Sequence, residues 1–388
     1  MLGIEEAMHC PKCGLFVEEH RRSKTDAGSQ TILGADDPGD LTLKPHCEIL
    51  EMDAHINHMD AVIHQLRRQR ATASLRRNAY TLIACLPVEI ISDIFLFAFA
   101  ASCPIEQPQD TPLATTLPLV LGRVCSHWRR IAWGLSELWS TFHCRISRKR
   151  SSALAALLKE WLARSGERLL TVRISMDDED SWRDAVSPTE IIDALILHCH
   201  RWLHISLTIP ESWYDRLAHV DGKVENLETL AIRPPGFIFV LKTVVAFFNA
   251  PLLQGISASH YYLHDLQFPW NQLQQVVLET ASADEVLELM RRCPDLNSCR
   301  FEDLNDSEGT FLVDIVIHSK MQFLDVSFDP LSVGLPETHS SPLSSIEALI
   351  ERSQCPLKTV QIKGPSLDEQ DIINFLTHND SINDVRNK

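Results

Sequence analysis

The sequence predicts a mainly α-helical N-terminal part followed by an α/β array of stacked strand–helix units. Three observations carry that expectation. From Ile49 onward, apolar side chains recur at alternating three- and four-residue spacing, the period of a helix seam. Between Leu86 and Trp139, two dense apolar stretches of helical period flank a proline-rich connection. From Leu169 the pattern apolar-x-x-apolar-x-apolar returns eight times, most copies being separated by a helix-like segment.

The totals set the bounds. A chain of 388 residues with 45% apolar content holds enough for two or three domains with substantial cores. A net charge of -16 argues against a nucleic-acid partner, because phosphates repel an acidic surface. The basic cluster Arg67, Arg68, Arg70, Arg76 and Arg77 falls within one predicted helix and reads as a solvated face. The 11 cysteines are scattered singly, and Glu5, Glu6 and His9 stand where a secretory signal carries a basic segment and an apolar core. Reduced thiols and an intracellular location, cytoplasm and/or nucleus, are expected. The densest apolar run, Ile90 to Ala101, is broken by Ser92 and Asp93 and is too short for a membrane span, so no membrane partner is expected.

Residues 1–45 mix Gly, Asp, Ser and Pro with few large apolar groups and read as a disordered leader. Within it, Cys10 and Cys13 form a CxxC pair with His9 and His20 nearby, half of a tetrahedral zinc site; neither a metal nor a cofactor is expected. Residues 46–80 form a heptad-bearing helix in which Ile49, Met52, Ile56, Met59, Ile63, Leu66, Arg70 and Ala73 hold the a and d positions. Two readings stay open: self-association or other pairing through this seam, or one amphipathic helix folding back on its own domain. His46, His55, His58 and His64 are spread around the helix and read as solvated.

In residues 81–145, Pro87 suits the first turn of a helix and Glu89 complements its dipole. Ile90, Ile91, Ile94, Phe95 and Ala98 mark an apolar face. The connection from Cys103 to Pro118 cannot continue the helix, and a second helix is expected with Leu121, Val124, Cys125, Trp128, Ile131 and Ala132 on one face. This unit carries more large apolar side chains than a helix pair buries by itself, which implies a partner surface. The opening Leu86-Pro87-Val88-Glu89-Ile90-Ile91-Ser92-Asp93-Ile94-Phe95, the second helix Val124-Cys125-Ser126-His127-Trp128-Arg129-Arg130-Ile131-Ala132 and the closing Leu138-Trp139 resemble the F-box, and the long insertion is similar to the fungal, basidiomycete-type subgroup. The resemblance implies docking on the Skp-type adaptor of a cullin-RING ubiquitin ligase. Leu86, Pro87, Glu89, Ile90, Ile94, Val124, Trp128 and Ile131 then divide between the F-box core and the adaptor-facing side. The first part of the fold thus reads as a coiled helix plus F-box helices.

Residues 146–388 open with a helical segment, Ala153 to Leu162, and continue as the eight copies Leu169-Val172-Ile174, Trp202-Ile205-Leu207, Leu227-Leu230-Ile232, Leu253-Ile256-Ala258, Leu273-Val276-Leu278, Leu296-Cys299-Phe301, Met321-Leu324-Val326 and Leu357-Val360-Ile362, with a frayed ninth at Ile382-Val385. Their intervals of 20 to 36 residues lie in or somewhat above the leucine-rich-repeat range, and helices are expected over 189–199, 240–249, 283–293, 311–319, 344–354 and 367–378. An irregular leucine-rich-repeat-like solenoid follows, irregular because Asp177, Pro210, Pro235 and Pro365 stand where the repeat expects Asn or Cys. Its outward strand positions form a concave surface suited to an unidentified protein substrate, with Arg173, Arg233, Arg300, Phe323 and Asp325 as candidate contacts. Phosphate-binding glycine loops, HExxH and GxSxG are absent, and the neighbours His198, Cys199 and His200 point apart at a helix end, so no catalytic constellation is found. The expected role is a substrate-recruiting ligase subunit, with a non-ligase interaction scaffold as the alternative.

Overall fold

The computed structural model describes residues 40–102, 112–176, 178–182, 188–236, 239–304, 320–328, 356–363, 373–374, 377 and 384–387. The CxxC pair, the predicted helices over 311–319 and 344–354, and most of that over 367–378 lie outside them. The chain divides into two units, Met1–Ala73 and Ser74–Lys388. In the first, α1 (Asp40–Ala79) is one continuous helix whose last turns run on into the second.

The second unit opens with a 3₁₀ turn, Leu82–Cys85, and α2 (Val88–Ala101). Pro87 caps α2 with φ -54, its carbonyl accepting from Ile91 N at 3.2 Å, and Glu89 lies in the first turn. The single second helix expected from Leu121 to Ala132 is two. α3 (Pro112–Val124) and α4 (Ser126–Gly134) are separated by Cys125, whose extended backbone (φ -159) starts α4 and whose Sγ accepts from Trp128 N at 3.4 Å. α3 also begins inside the connection that was expected to stay non-helical and contains Pro118; burial of Pro118 and Leu121 offsets the lost backbone bond.

Among the described residues, ten strands then form one sheet in sequence order: β1 (Thr141–Ile146), β2 (Leu170–Met176), β3 (Trp202–Thr208), β4 (Thr229–Arg233), β5 (Gly255–Ser259), β6 (Gln275–Glu279), β7 (Ser298–Leu304), β8 (Phe323–Phe328), β9 (Thr359–Lys363) and β10 (Asp384–Asn387). Every pairing is parallel. Because side chains alternate along a strand, register fixes which row is buried. Phe142, Val172, Ile205, Leu230, Ile256, Val276, Cys299, Leu324 and Val360 line up across nine strands, each at most 4% exposed. The alternate row runs His143, Arg173, Ser206, Ala231, Ser257, Val277, Arg300, Asp325 and Gln361 on the opposite, polar face.

The connections are unlike one another. α5 (Ser151–Arg164) joins β1 to β2, α6 (Thr189–Ile196) lies between β2 and β3, and α7 (Tyr214–Leu217) is a single turn before β4. Only 3₁₀ turns lie between β5 and β6, and α8 (Ala283–Arg292), started by a Ser282–Glu285 capping box, precedes β7. The helix expected over 240–249 does not form. Val240 and Val244 make isolated parallel bridges to Tyr261 and Leu266, in keeping with the β-branched residues Val240, Thr243, Val244 and Val245, which disfavour helix.

These findings overturn the expectation of a leucine-rich-repeat solenoid behind an F-box helical N-terminal part. The second unit is an α/β fold whose described strands form an all-parallel sheet, and β1 already begins within residues 81–145, which were expected to be helical. The helices before the sheet share its core: Trp139 donates from Nε1 to Ala132 O at 2.8 Å and packs edge-on to Trp161 on α5 at 4.5 Å, and Trp161 Nε1 donates to Thr141 O on β1 at 3.1 Å. The apolar pattern reports which strand faces are buried, not what fills the space between strands.

Candidate functional site

The helices preceding the sheet divide their apolar residues between two faces. Ile91 and Phe95 of α2 are buried, and Phe95 meets Trp128 of α4 edge-on with ring centres 5.0 Å apart. Ile90, Ile94 and Phe97, at i, i+4 and i+7 on the other side of α2, are exposed, as are Leu82, Leu86 and Val88 just before and at its start. Pro87 and Glu89 are exposed as well. Val124 is exposed at the end of α3 together with Val120, one turn before it on the same side of the helix.

Of the eight residues that the sequence assigned between core and partner, Leu86, Pro87, Glu89, Ile90, Ile94 and Val124 stand on the surface. Trp128 is half-buried against Phe95, and Ile131 is buried. Ile131 also floors a groove of about 450 Å³ lined by Val88, Ser92, His127, Arg130, Gly134 and Leu135. Arg129 ties α4 to α3 by donating from Nε to Gly122 O at 2.8 Å. Sequence reasoning missed Phe97, Val120 and Leu82; the continuation of the Ile90–Ile94 spacing to position 97 was the signal for the first.

The polar sheet face does not gather the five substrate candidates into one place. Arg300 and Asp325 are register neighbours on β7 and β8, with Nε 2.9 Å from Oδ2, an ion pair in which the N–H is not aligned for a hydrogen bond to Oδ2. Asp325 is only 1% exposed. Phe323 is half-buried two residues before it on the same face. Arg173 is half-buried on β2, between His143 and Ser206 in register. Five strand spacings separate it from Arg300, about 24 Å. Arg233, at the end of β4, is exposed and paired with Glu179.

A second feature at the strand ends was not legible. His260 directly after β5, Thr280 directly after β6 and Asp303 near the end of β7 take left-handed backbone, with φ 59, 62 and 52. A β-branched threonine there is strained, and strain of this kind concentrates at functional sites. His260 N donates to Thr280 Oγ1 at 3.2 Å, and Thr280 N to Glu302 O at 2.8 Å. Beside His260, Phe239 stacks on Tyr262 at 4.7 Å and Tyr262 on His264 at 5.4 Å. Burial holds the His260 imidazole below its usual range, against the opposing pull of Glu279 and Asp303.

The thiols of the sheet unit are tuned for packing. Burial pushes Cys144 and Cys293 up to about 12 and also raises Cys199, so all three stay protonated at neutral pH. His198 is lowered by burial and then by the charges of Arg201 and His200. Arg201 is itself buried and structural, its Nε donating to Arg168 O at 2.9 Å and its Nη2 to Ser165 Oγ at 2.5 Å. Among the described residues, no group of three or more His, Cys, Asp or Glu is placed to hold a metal ion, and no helix is long and apolar enough to cross a membrane.

The arrangement thus presents two surfaces, an exposed apolar helical face and a polar sheet face. No family model matches the chain, and no curated protein matches it.

Proposed function

We propose that the chain is the substrate-recruiting subunit of a Skp-cullin-RING ubiquitin ligase, working inside the cell in the cytoplasm and/or nucleus. On this reading Leu86, Pro87, Glu89, Ile90, Ile94 and Val124 meet the Skp-type adaptor, Trp128 and Ile131 hold the helices that present them, and the polar sheet face around Arg300, Phe323 and Asp325 receives a protein substrate. The chain supplies no chemistry of its own and positions the substrate for ubiquitin transfer by others.

The observation that carries the reading is the two-faced α2. Its buried side, Ile91 and Phe95, completes the core, yet Ile90, Ile94 and Phe97 remain in solvent on the other side. Helices bury an apolar stripe against something, and a second stripe exposed alongside Leu86 and Val88 calls for a partner. The resemblance of the Leu86–Phe95 and Val124–Ala132 motifs to the F-box supports a Skp-type adaptor as that partner.

The test is co-expression of the full chain with a Skp-type adaptor, followed by capture of either partner. Recovery of a stoichiometric complex that is lost in Ile90→Asp with Ile94→Asp, two exposed positions where charge leaves the core untouched, supports the proposal. A folded chain that never retains the adaptor sinks it.

A further inference from the structure

We propose that α1 pairs with α1 of a second copy of this chain, in antiparallel orientation, along a seam of Ile49, Met52, Ile56, Met59, Ile63 and Leu66. The inference does not depend on adaptor docking.

Those six side chains are 43–57% exposed on one continuous helix, and every residue from 51 to 73 is exposed, so nothing among the described residues covers the seam. Apolar groups sustained at heptad spacing are the signature of a helix that packs against another helix. The order of the spacing, 3-4-3-4-3, reads the same in both directions, with its midpoint between Asn57 and His58. An antiparallel copy centred there sets Ile49 against Leu66, Met52 against Ile63 and Ile56 against Met59. Each layer then holds one β-branched side chain and one that is not branched at Cβ, and no seam residue is left unmatched.

Charge selects the orientation and the occupant. Residues 46–66 carry Glu48, Glu51, Asp53 and Asp60 with neither Lys nor Arg, whereas residues 67–79 carry Arg67, Arg68, Arg70, Arg76 and Arg77 with neither Asp nor Glu. A parallel pair lays acid beside acid and arginine beside arginine, and places Arg70, which continues the seam, directly against its own copy. An antiparallel pair in this register sets Arg67 level with Glu48, moves Arg70 level with Pro45 and away from its own copy, and opposes the two helix dipoles. The reversed pairing therefore avoids the direct arginine–arginine contact of the parallel one.

The experiment uses the full chain. Sedimentation velocity at micromolar concentrations is expected to show a dimer. Ile56→Glu with Met59→Glu, both exposed and outside any core, is expected to weaken the dimer at least about a hundredfold, since it puts charge into the seam. Orientation is read by oxidative cross-linking, with the unsubstituted chain as the blank for native cysteines. Chains carrying Met52→Cys alone or Ile63→Cys alone are expected to give no added cross-link, and a mixture of the two to give one. A monomer throughout, a dimer indifferent to the two glutamates, or a cross-link formed by Ile63→Cys alone overturns the proposal.

Discussion

Ile94 and Phe95 are neighbours in sequence and opposites in structure, and the contrast between their alanine variants tests the two-faced α2 directly. Phe95 is 1% exposed and packs edge-on to Trp128, so Phe95→Ala removes a full aromatic side chain from the core at about 3–5 kcal/mol of stability. Ile94 is 44% exposed. Fully burying an isoleucine is worth roughly 1.5–3 kcal/mol, so a little under half of that, about 1 kcal/mol or roughly fivefold in affinity, remains for a partner to gain. Alanine is also the better helix former, so Ile94→Ala carries no helix penalty. Combining Leu86→Ala, Ile90→Ala, Ile94→Ala and Val124→Ala is expected to cost about 4 kcal/mol, or roughly a thousandfold, in adaptor affinity by calorimetric titration. The urea midpoint of that variant should stay close to that of the native chain. A quadruple variant that binds like the native protein, or that unfolds as readily as Phe95→Ala, would refute the assignment of the two faces.

Three further expectations follow from the packing and the charges. A Cβ on Gly122 would lie 2.0 Å from Trp133 Cζ3, and that ring packs on Trp139 at 5.4 Å and beneath Arg164 at 5.3 Å; Gly122→Ala should therefore cost about 2 kcal/mol by overpacking, read as a lower denaturation midpoint. Removing the guanidinium in Arg300→Ala leaves the buried Asp325 carboxylate without its ion pair. Because Arg300 is itself partly exposed, about 2 kcal/mol is expected rather than the full cost of a buried pair, and adding Asp325→Leu should recover much of it. Stability should fall on acidification in two stages. His198 and His260 are held below their ordinary value of 6.5, so the stability of their neutral forms is present above that pH and is lost as pH falls toward their folded values. Glu288, lowered first by its hydrogen bond from Arg291 and also by Arg292, adds a second loss below about 4.5. Denaturation midpoints from pH 8 to pH 3 check both stages, and stability unchanged or rising as pH falls over that range contradicts them.

Much of the strand framework was legible because one-sided burial of a sheet forces alternation. The apolar pairs Val172 and Ile174, Ile205 and Leu207, and so on to Val360 and Ile362, all lie on strands. What alternation leaves open is the material between strands, and there the expected array of like repeats failed. The β-branched residues of 240–249 form bridges to Tyr261 and Leu266 where a helix was expected, and only 3₁₀ turns separate β5 from β6. In the candidate site, the motif residues were readable but their allotment was not. A helix whose apolar residues cover nearly its whole circumference gives no sign of which side the rest of the chain will cover.

By itself, then, the sequence determined the spacing of α1's seam, the apolar load of α2 and the positions of β2 to β9, since each follows from side-chain periodicity within a few turns or a single strand. Only the tertiary structure decided that Ile94 faces solvent and Phe95 the core, that Val124 ends α3 on its exposed side, and that Arg300 pairs with Asp325 from the next strand. Those outcomes depend on which distant segments meet, and local periodicity carries no information about contacts made across the sheet.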